Sequence, residues 1–373
     1  MWYGVATLVG TIIGVGIFGL PYAAARSGFF VQLSYLGIFA IIFTLLHLMF
    51  GEVMLRTTQR YRLSGYIGLY FGEGAKKIIL AITIISFFGG MLAYILVGGS
   101  FLRALTGGIF GSLSAYYIIF WAAMSIVVAL GLSMIKRAEI VMLAFMIAIV
   151  ALIFFFSIPH VQWDYFMKNN WGDIFFPYGI TMFALAGVSA IPAVREIMRG
   201  DERKMKKAII MGTLIPVALY TVFVFAVLGV AGSATSEDAF SGLHGILGAF
   251  VESAGAVFGI LAVATSYIIF GLYLRDTLWY DFNIPRKVAI GVVVMAPIMM
   301  ALAYPGSYIA VIGFLGAVGG GLEAMFVIAA FIRVKRKGDR VPEYALSLPA
   351  LVPHALILLF ALGIGYTLLV GGQ

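Results

Sequence analysis

The segment "GTIIGVGIFGLP", Gly10 to Pro21, sets four glycines and a proline inside an otherwise apolar run. Glycine lowers helix stability by about 1 kcal/mol relative to alanine and proline removes a backbone donor, so a helix here breaks around Gly14-Val15-Gly16. In a bilayer, the freed amides and carbonyls must be satisfied by protein, ion or substrate. Amides at the positive end of a half-helix suit a carboxylate, and freed carbonyls suit an ammonium or a metal cation. The spacing recurs. Gly16-Ile17-Phe18-Gly19-Leu20-Pro21 sets beside Gly187-Val188-Ser189-Ala190-Ile191-Pro192, each a glycine, two residues, a small residue, an aliphatic and a proline. Gly10 and Gly14 alone could serve close helix packing as a small-xxx-small pair. The second copy points instead to a site shared by two discontinuous helices.

Ionisable residues in apolar surroundings form the second group of candidates, because they are costly there and face a cavity or a partner. Glu323, in "GGGLEAMF", is a candidate proton carrier, with a bond to a neighbouring helix as the structural alternative. Glu52 lies four residues before Arg56, the spacing of a snorkelling pair near the membrane surface. His47 has no partner recognisable in the sequence and reads as structural. Arg195, Glu196, Arg275 and Asp276 fall at the polar ends of two apolar runs, where they either pair as an inner gate or are solvated helix ends. With four His and no Cys, the chain has neither H-E-x-x-H nor a Ser-His arrangement, which argues against an enzyme. No organic cofactor is expected.

Hydrophobic residues make up 63% of the 373 positions and charged residues 11%, with a mean hydropathy of +1.08, a composition that excludes an ordinary water-soluble domain. A bilayer core of about 30 Å needs roughly 20 apolar residues per helix. The runs that meet this are Tyr3–Ala25, Val31–Leu55, Lys77–Leu105, Ala115–Ile135, Ala138–Ile158, Ile174–Ile197, Ala208–Ala231, Ala254–Tyr280, Val288–Tyr304, Ser307–Ile332 and Ala350–Gly371. They predict an all-α integral membrane protein of eleven spans. The first run lacks a basic flank and continues through Pro21, so it reads as a span rather than a signal peptide.

Of the 24 Lys and Arg, all but Arg26, Arg103 and Lys168 fall on one side of this topology. Basic loops stay cytoplasmic, which predicts a plasma-membrane protein with its amino terminus inside and, with eleven spans, its carboxyl terminus outside. The net charge of +8 is therefore topological and implies no nucleic-acid partner. The two glycine motifs lie in spans 1 and 6. Five spans is an odd offset, so the second copy enters from the opposite side, and residues 1–158 and 174–332 form a 5+5 inverted repeat with residues 350–371 as a peripheral helix.

"TIIGVGIFGLPYAAARSG" followed by "FALAGVSAIPAVREIM" resembles the amino acid/auxin permease family and the related hydroxy- and aromatic-amino-acid permeases of the amino acid-polyamine-organocation superfamily. The resemblance implies the leucine-transporter (LeuT-type) fold with discontinuous helices 1 and 6. It also implies a single sodium site, because the eighth span carries Ala262-Val263-Ala264-Thr265-Ser266, similar to the Ala-x-x-Thr-Ser pattern of sodium-coupled members. The matching ligands are the carbonyls of Gly10, Ile13 and Ala262 and the hydroxyls of Thr265 and Ser266, hard neutral oxygens suited to an alkali cation. A bond from those hydroxyls to their own helix is the structural alternative. The asparagine of a second sodium site is replaced by Ile17, and span 5 has no interior lysine of the kind some proton-coupled relatives use.

The resulting expectation is a secondary transporter of amino acids working by alternating access. Amides of Val15 and Gly16 would receive the carboxylate, and carbonyls of Ile12, Phe183 and Ala184 the ammonium. Phe183 would lie over the substrate side chain, with Tyr94 and Ser266 completing the pocket. The absence of charge at these positions favours neutral substrates, aromatic ones among them. The alternatives are a proton-coupled symporter or exchanger and a receptor that binds without transporting.

Overall fold

The computed structural model describes residues 1–130, 136–243, 245–304 and 306–370. The described helices are α1 (Trp2–Ile12), α2 (Gly16–Ser27), α3 (Phe29–Leu55), α4 (Leu63–Phe71), α5 (Glu73–Thr106), α6 (Leu113–Leu130), α7 (Lys136–Ser157), α8 (Pro177–Ala184), α9 (Ile191–Ile197), α10 (Met205–Ala231), α11 (Ala249–Asp276), α12 (Arg286–Ala303), α13 (Tyr308–Phe314), α14 (Gly321–Lys337) and α15 (Leu351–Val370). Among the described residues, ten helices or helix runs are long and apolar enough to cross a membrane, and the bent pair α1–α2 makes an eleventh. The ends of predicted spans 4 and 11, Ile135 and Gly371, lie outside the described residues.

Three of the predicted spans are composite. Span 1 is α1 and α2, bent by 54°. Span 6 is α8 and α9, separated by a short irregular stretch and a 3₁₀ turn at Val188–Ala190. Span 10 is α13 and α14 joined by a π-helical turn, Leu315–Gly320. One helix was not predicted: α4 is nine residues long, too short to cross a bilayer, and its glycines interrupt the apolar pattern.

Between apolar helices in lipid, packing rather than water exclusion drives association, so small residues mark the close contacts. The π-helical turn nests against α8 in this way. A Cβ on Gly179 would fall on the Gly313 carbonyl, and one on Gly316 would lie 2.7 Å from the Phe183 nitrogen. Along α5 runs α11; α10 packs on α1 and α3; α15 lies at the periphery against α14 and the π-helical turn. This arrangement puts the breaks of spans 1 and 6 side by side at the centre.

Candidate functional site

At the first break Ile13 is extended, with φ −80° and ψ 100°, although its amide still bonds to the Val9 carbonyl at 2.8 Å. The next bonds come from Ile17 and Phe18, to Gly14 and Val15 at 3.4 and 3.2 Å. The amides of Gly14, Val15 and Gly16 have no hydrogen-bond acceptor among the described residues. The same is true at the second break for Gly187, Val188 and Ser189. Gly16 makes the two breaks touch: a Cβ there would lie 2.6 Å from Ala184 Cα.

The freed carbonyls are already in use. Tyr220 of α10, fully buried, places its hydroxyl 2.9 Å from the Ile12 oxygen and 2.9 Å from the Ala184 oxygen. A phenol has one proton for these two acceptors, so one carbonyl at a time keeps a lone pair without a donor. Sequence reasoning missed Tyr220, because a tyrosine in an apolar span carries no mark of the face it occupies.

A cavity of about 70 Å³ lies against both breaks. Of the expected substrate residues, Ile12, Gly16, Tyr94 and Phe183 line it, whereas Val15, Ala184 and Ser266 do not. Tyr94 and Ser266 do meet the first break, since a Cβ on Gly14 would lie 3.4 Å from the Tyr94 hydroxyl and 3.0 Å from Ser266 Oγ. Phe87 and Phe270 add a stacked wall, centroids 4.1 Å apart at 9°, with Tyr94 edge-on to Phe270 at 5.4 Å. Typical ligand pockets start near 300 Å³, so this cavity must widen to admit an amino acid.

Within the expected sodium set, Ile13 and Ala262 are buried and Gly10 is half-buried. The two hydroxyls turn back on their own helix. Thr265 donates to the carbonyls of Ala262 at 3.0 Å and Leu261 at 3.2 Å, and Ser266 to Ala262 at 3.2 Å.

Glu323 opens on the central cavity, half-buried, with no hydrogen-bond or ionic partner among the described residues. It also lines an adjoining vestibule of about 250 Å³, together with Phe87, Val188 and Ser189. The vestibule reaches Arg62, which in turn borders a surface bowl of about 570 Å³ on the face that carries most of the basic residues. The expected gate residues do not pair with one another across this opening. Arg195 is buried and donates to the Tyr66 hydroxyl and the Thr57 carbonyl, both at 3.1 Å, tying α9 to the α3–α4 segment. Glu196 pairs with Arg60. Arg275 bonds its neighbour Asp276 at 2.7 Å, and Asp276 also lies 3.9 Å from Arg62. Sequence reasoning missed Arg60 and Arg62, the partners that the segment between α3 and α4 supplies.

The two remaining candidates are anchors. Glu52 accepts from Arg56 Nε at 2.7 Å as expected, but it is fully buried rather than snorkelling, and its second oxygen accepts from the Leu346 amide at 2.6 Å. His47 Nδ1 meets Thr213 Oγ1 at 2.9 Å; Thr213 donates to the Ile209 carbonyl, so the imidazole is the donor in that pair.

The sequence pattern of the tryptophan/tyrosine permease family matches residues 1–369. "Tyrosine-specific transport system 1" of Haemophilus influenzae is 25% identical over 333 residues, covering 83% of this chain and 82% of that protein. "Tryptophan-specific transport protein" of Shigella flexneri is 26% identical over 398 residues, covering 96% and 92%. Among solved structures, MhsT in complex with L-phenylalanine superposes with a TM-score of 0.69 at 15% identity, covering 98% of each chain, so the fold is that of the LeuT-type transporters. The family is the aromatic branch of the resemblance drawn from the motifs. Matched almost end to end, this chain belongs to the tryptophan/tyrosine permease family.

Proposed function

We propose that this multi-pass membrane protein is a secondary transporter of aromatic amino acids that works by alternating access between its two helix breaks. The observation that carries the reading is the juxtaposition of six unpartnered amides, at Gly14 to Gly16 and Gly187 to Ser189, with an aromatic wall from Phe87, Phe183 and Phe270. The amides suit the substrate carboxylate. The ammonium takes the Ile12 or Ala184 carbonyl that Tyr220 leaves free, and the ring lies among the phenylalanines. The relatives named for tyrosine and tryptophan support an aromatic substrate. Kinship with the amino acid/auxin permeases rests on the two glycine motifs alone.

The positive-inside asymmetry supports a plasma-membrane location with the amino terminus cytoplasmic and the carboxyl terminus external. On that orientation the vestibule leads inward. The two repeats, residues 1–158 and 174–332, would move relative to each other, with residues 350–371 outside the exchange.

Two coupling ions are consistent with these residues. Sodium would need the carbonyls of Gly10, Ile13 and Ala262 and a rotation of the Thr265 and Ser266 hydroxyls off α11. A proton needs only Glu323, whose carboxylate already opens on the substrate cavity without a partner among the described residues, and this observation favours proton coupling.

The experiment is counterflow and uptake in proteoliposomes. L-tyrosine or L-tryptophan is expected to exchange, and uptake to follow an imposed pH gradient and to lose that dependence in Glu323→Gln. Uptake driven by a sodium gradient and abolished in Thr265→Ala/Ser266→Ala would return the assignment to sodium. Binding without counterflow would identify a receptor.

A further inference from the structure

The central cavity has two unlike ends. Gly14, Gly16 and Tyr94 line it alone, whereas Glu323, Phe87, Val188 and Ser189 are shared with the vestibule. The phenylalanine rings on its wall are Phe87, stacked on Phe270, and Phe183 from α8. An amino acid held by its carboxylate at the first break, Gly14 to Gly16, has its side chain among these rings in a cavity that Glu323 also lines. A plain phenyl ring offers the Glu323 carboxylate no donor, whereas a phenol or an indole offers one.

The backbone holds Glu323 at this position. The π-helical turn ends three residues earlier at Gly320. One extra residue in a turn rotates the following helix by about 100° relative to an uninterrupted helix, enough to move a side chain from one face to another. The turn is fixed by the backbone contacts of Gly316 on Phe183 and Gly179 on Gly313. Ser86 of α5, also on the cavity, occupies the space beside Gly319 where a Cβ would be.

We propose that Glu323 is a specificity-determining residue that accepts a hydrogen bond from the donor on the substrate ring, a phenol O–H or an indole N–H. This rests on the transport reading above and deepens it: the site selects aromatic side chains that end in a donor over those that do not. Glu323 also carries the proton in that reading, and the two roles fit one carboxyl, because an acceptor oxygen remains in either protonation state.

The test is equilibrium binding to the purified protein of L-tyrosine, L-tryptophan, L-phenylalanine, O-methyl-L-tyrosine and 1-methyl-L-tryptophan. Hydrogen bonds to charged groups are the stronger class, so tyrosine and tryptophan are expected to bind at least about tenfold tighter than the three ligands lacking a ring donor. In Glu323→Leu the gap closes because tyrosine and tryptophan lose more affinity than phenylalanine does. In Glu323→Gln, which keeps an acceptor oxygen, part of the gap remains.

Phenylalanine or O-methyl-L-tyrosine binding the parent as tightly as tyrosine overturns the proposal while leaving the transport reading intact. A parallel loss of tyrosine and phenylalanine in Glu323→Leu overturns it too, because the carboxylate would then be meeting the substrate ammonium. Failure of the parent to bind any of these ligands overturns the transport reading itself. The methylated and unmethylated ligands compare binding in the parent protein, so the proposal stays open to refutation even if neither variant folds.

Discussion

On the side of the breaks away from the basic loops, Phe18 of α2 meets four rings, with centroids 4.9 Å away at Phe101, 5.6 Å at Phe258, 5.9 Å at Phe240 and 6.3 Å at Phe223. On the basic side the closest equivalent is Arg62, 3.9 Å from Asp276, bonded to Thr277 and lying 4.3 Å above the Tyr273 ring. All five phenylalanines are buried, whereas the Arg62 side chain is 39% exposed. Aromatic pairs contribute about 0.5 to 1.5 kcal/mol beyond their burial, and an exposed ion pair about 0.2 to 1 kcal/mol. One end is a buried aromatic plug and the other a partly exposed polar latch. The continuous series of cavities from Glu323 to Arg62 lies on the side of the latch. The plug depends on glycines of α11, since a Cβ on Gly255 would lie 2.5 Å from Phe240 Cε1 and the Gly259 position is filled by Phe101.

The comparison breaks most directly at Phe18. Phe18→Ala is expected to cost about 3 to 5 kcal/mol, as for other buried aromatic truncations, and to admit water from the plugged side. The chain has no cysteine, so a thiol introduced as Ser266→Cys is the only one to react. In the Phe18→Ala background it should label from the plugged side, and in the parent background it should not. A fall in stability without labelling would mean that Phe18 supports the core but does not seal it.

Tyr220→Phe tests the region between the two ends. The hydroxyl serves the Ile12 and Ala184 carbonyls, and its loss leaves both buried acceptors without that donor, at a cost of about 1 to 3 kcal/mol. Thermal unfolding should reveal this destabilisation. It should be smaller in the presence of saturating L-tyrosine than in its absence, because the ammonium then supplies donors to the same oxygens. An equal loss with and without ligand would separate the carbonyls from the substrate.

The uneven legibility of these features in the sequence has physical causes. The breaks could be read at Gly14 to Gly16 and at Gly187 because glycine and proline act on the backbone through local rules. The spans could be read because bilayer thickness sets a length. Tyr220 could not, since its partners lie 208 and 36 residues away and nothing in span 7 marks which face turns inward. The sequence leaves Arg195 open between an inner gate and a solvated helix end because it follows an apolar run beside Glu196, yet Tyr66 and the Thr57 carbonyl cover it from a segment more than a hundred residues earlier. Glu323 stands out in the sequence as a candidate proton carrier, with a structural bond as the alternative, but not as a wall of the substrate cavity, because the π-helical turn changes the register of α14 in a way that uniform 3.6-residue periodicity does not express.

The smallest expected effect concerns the latch. Arg62→Gln removes the contact with Asp276 and the cation over Tyr273, while Asp276 keeps Arg275 at 2.7 Å. Such exposed interactions are screened by salt, with a Debye length of about 10 Å at 0.1 M. A thiol placed by Ser189→Cys, on the wall shared by cavity and vestibule, reports opening on this side through its labelling rate. The rate should rise at most about fivefold in Arg62→Gln at low ionic strength. Added salt should raise the parent rate toward that of the variant and leave the variant nearly unchanged. If the parent rate is indifferent to salt, the ion pair is not what holds this side closed, and the ring contact with Tyr273 becomes the part of the latch to remove next.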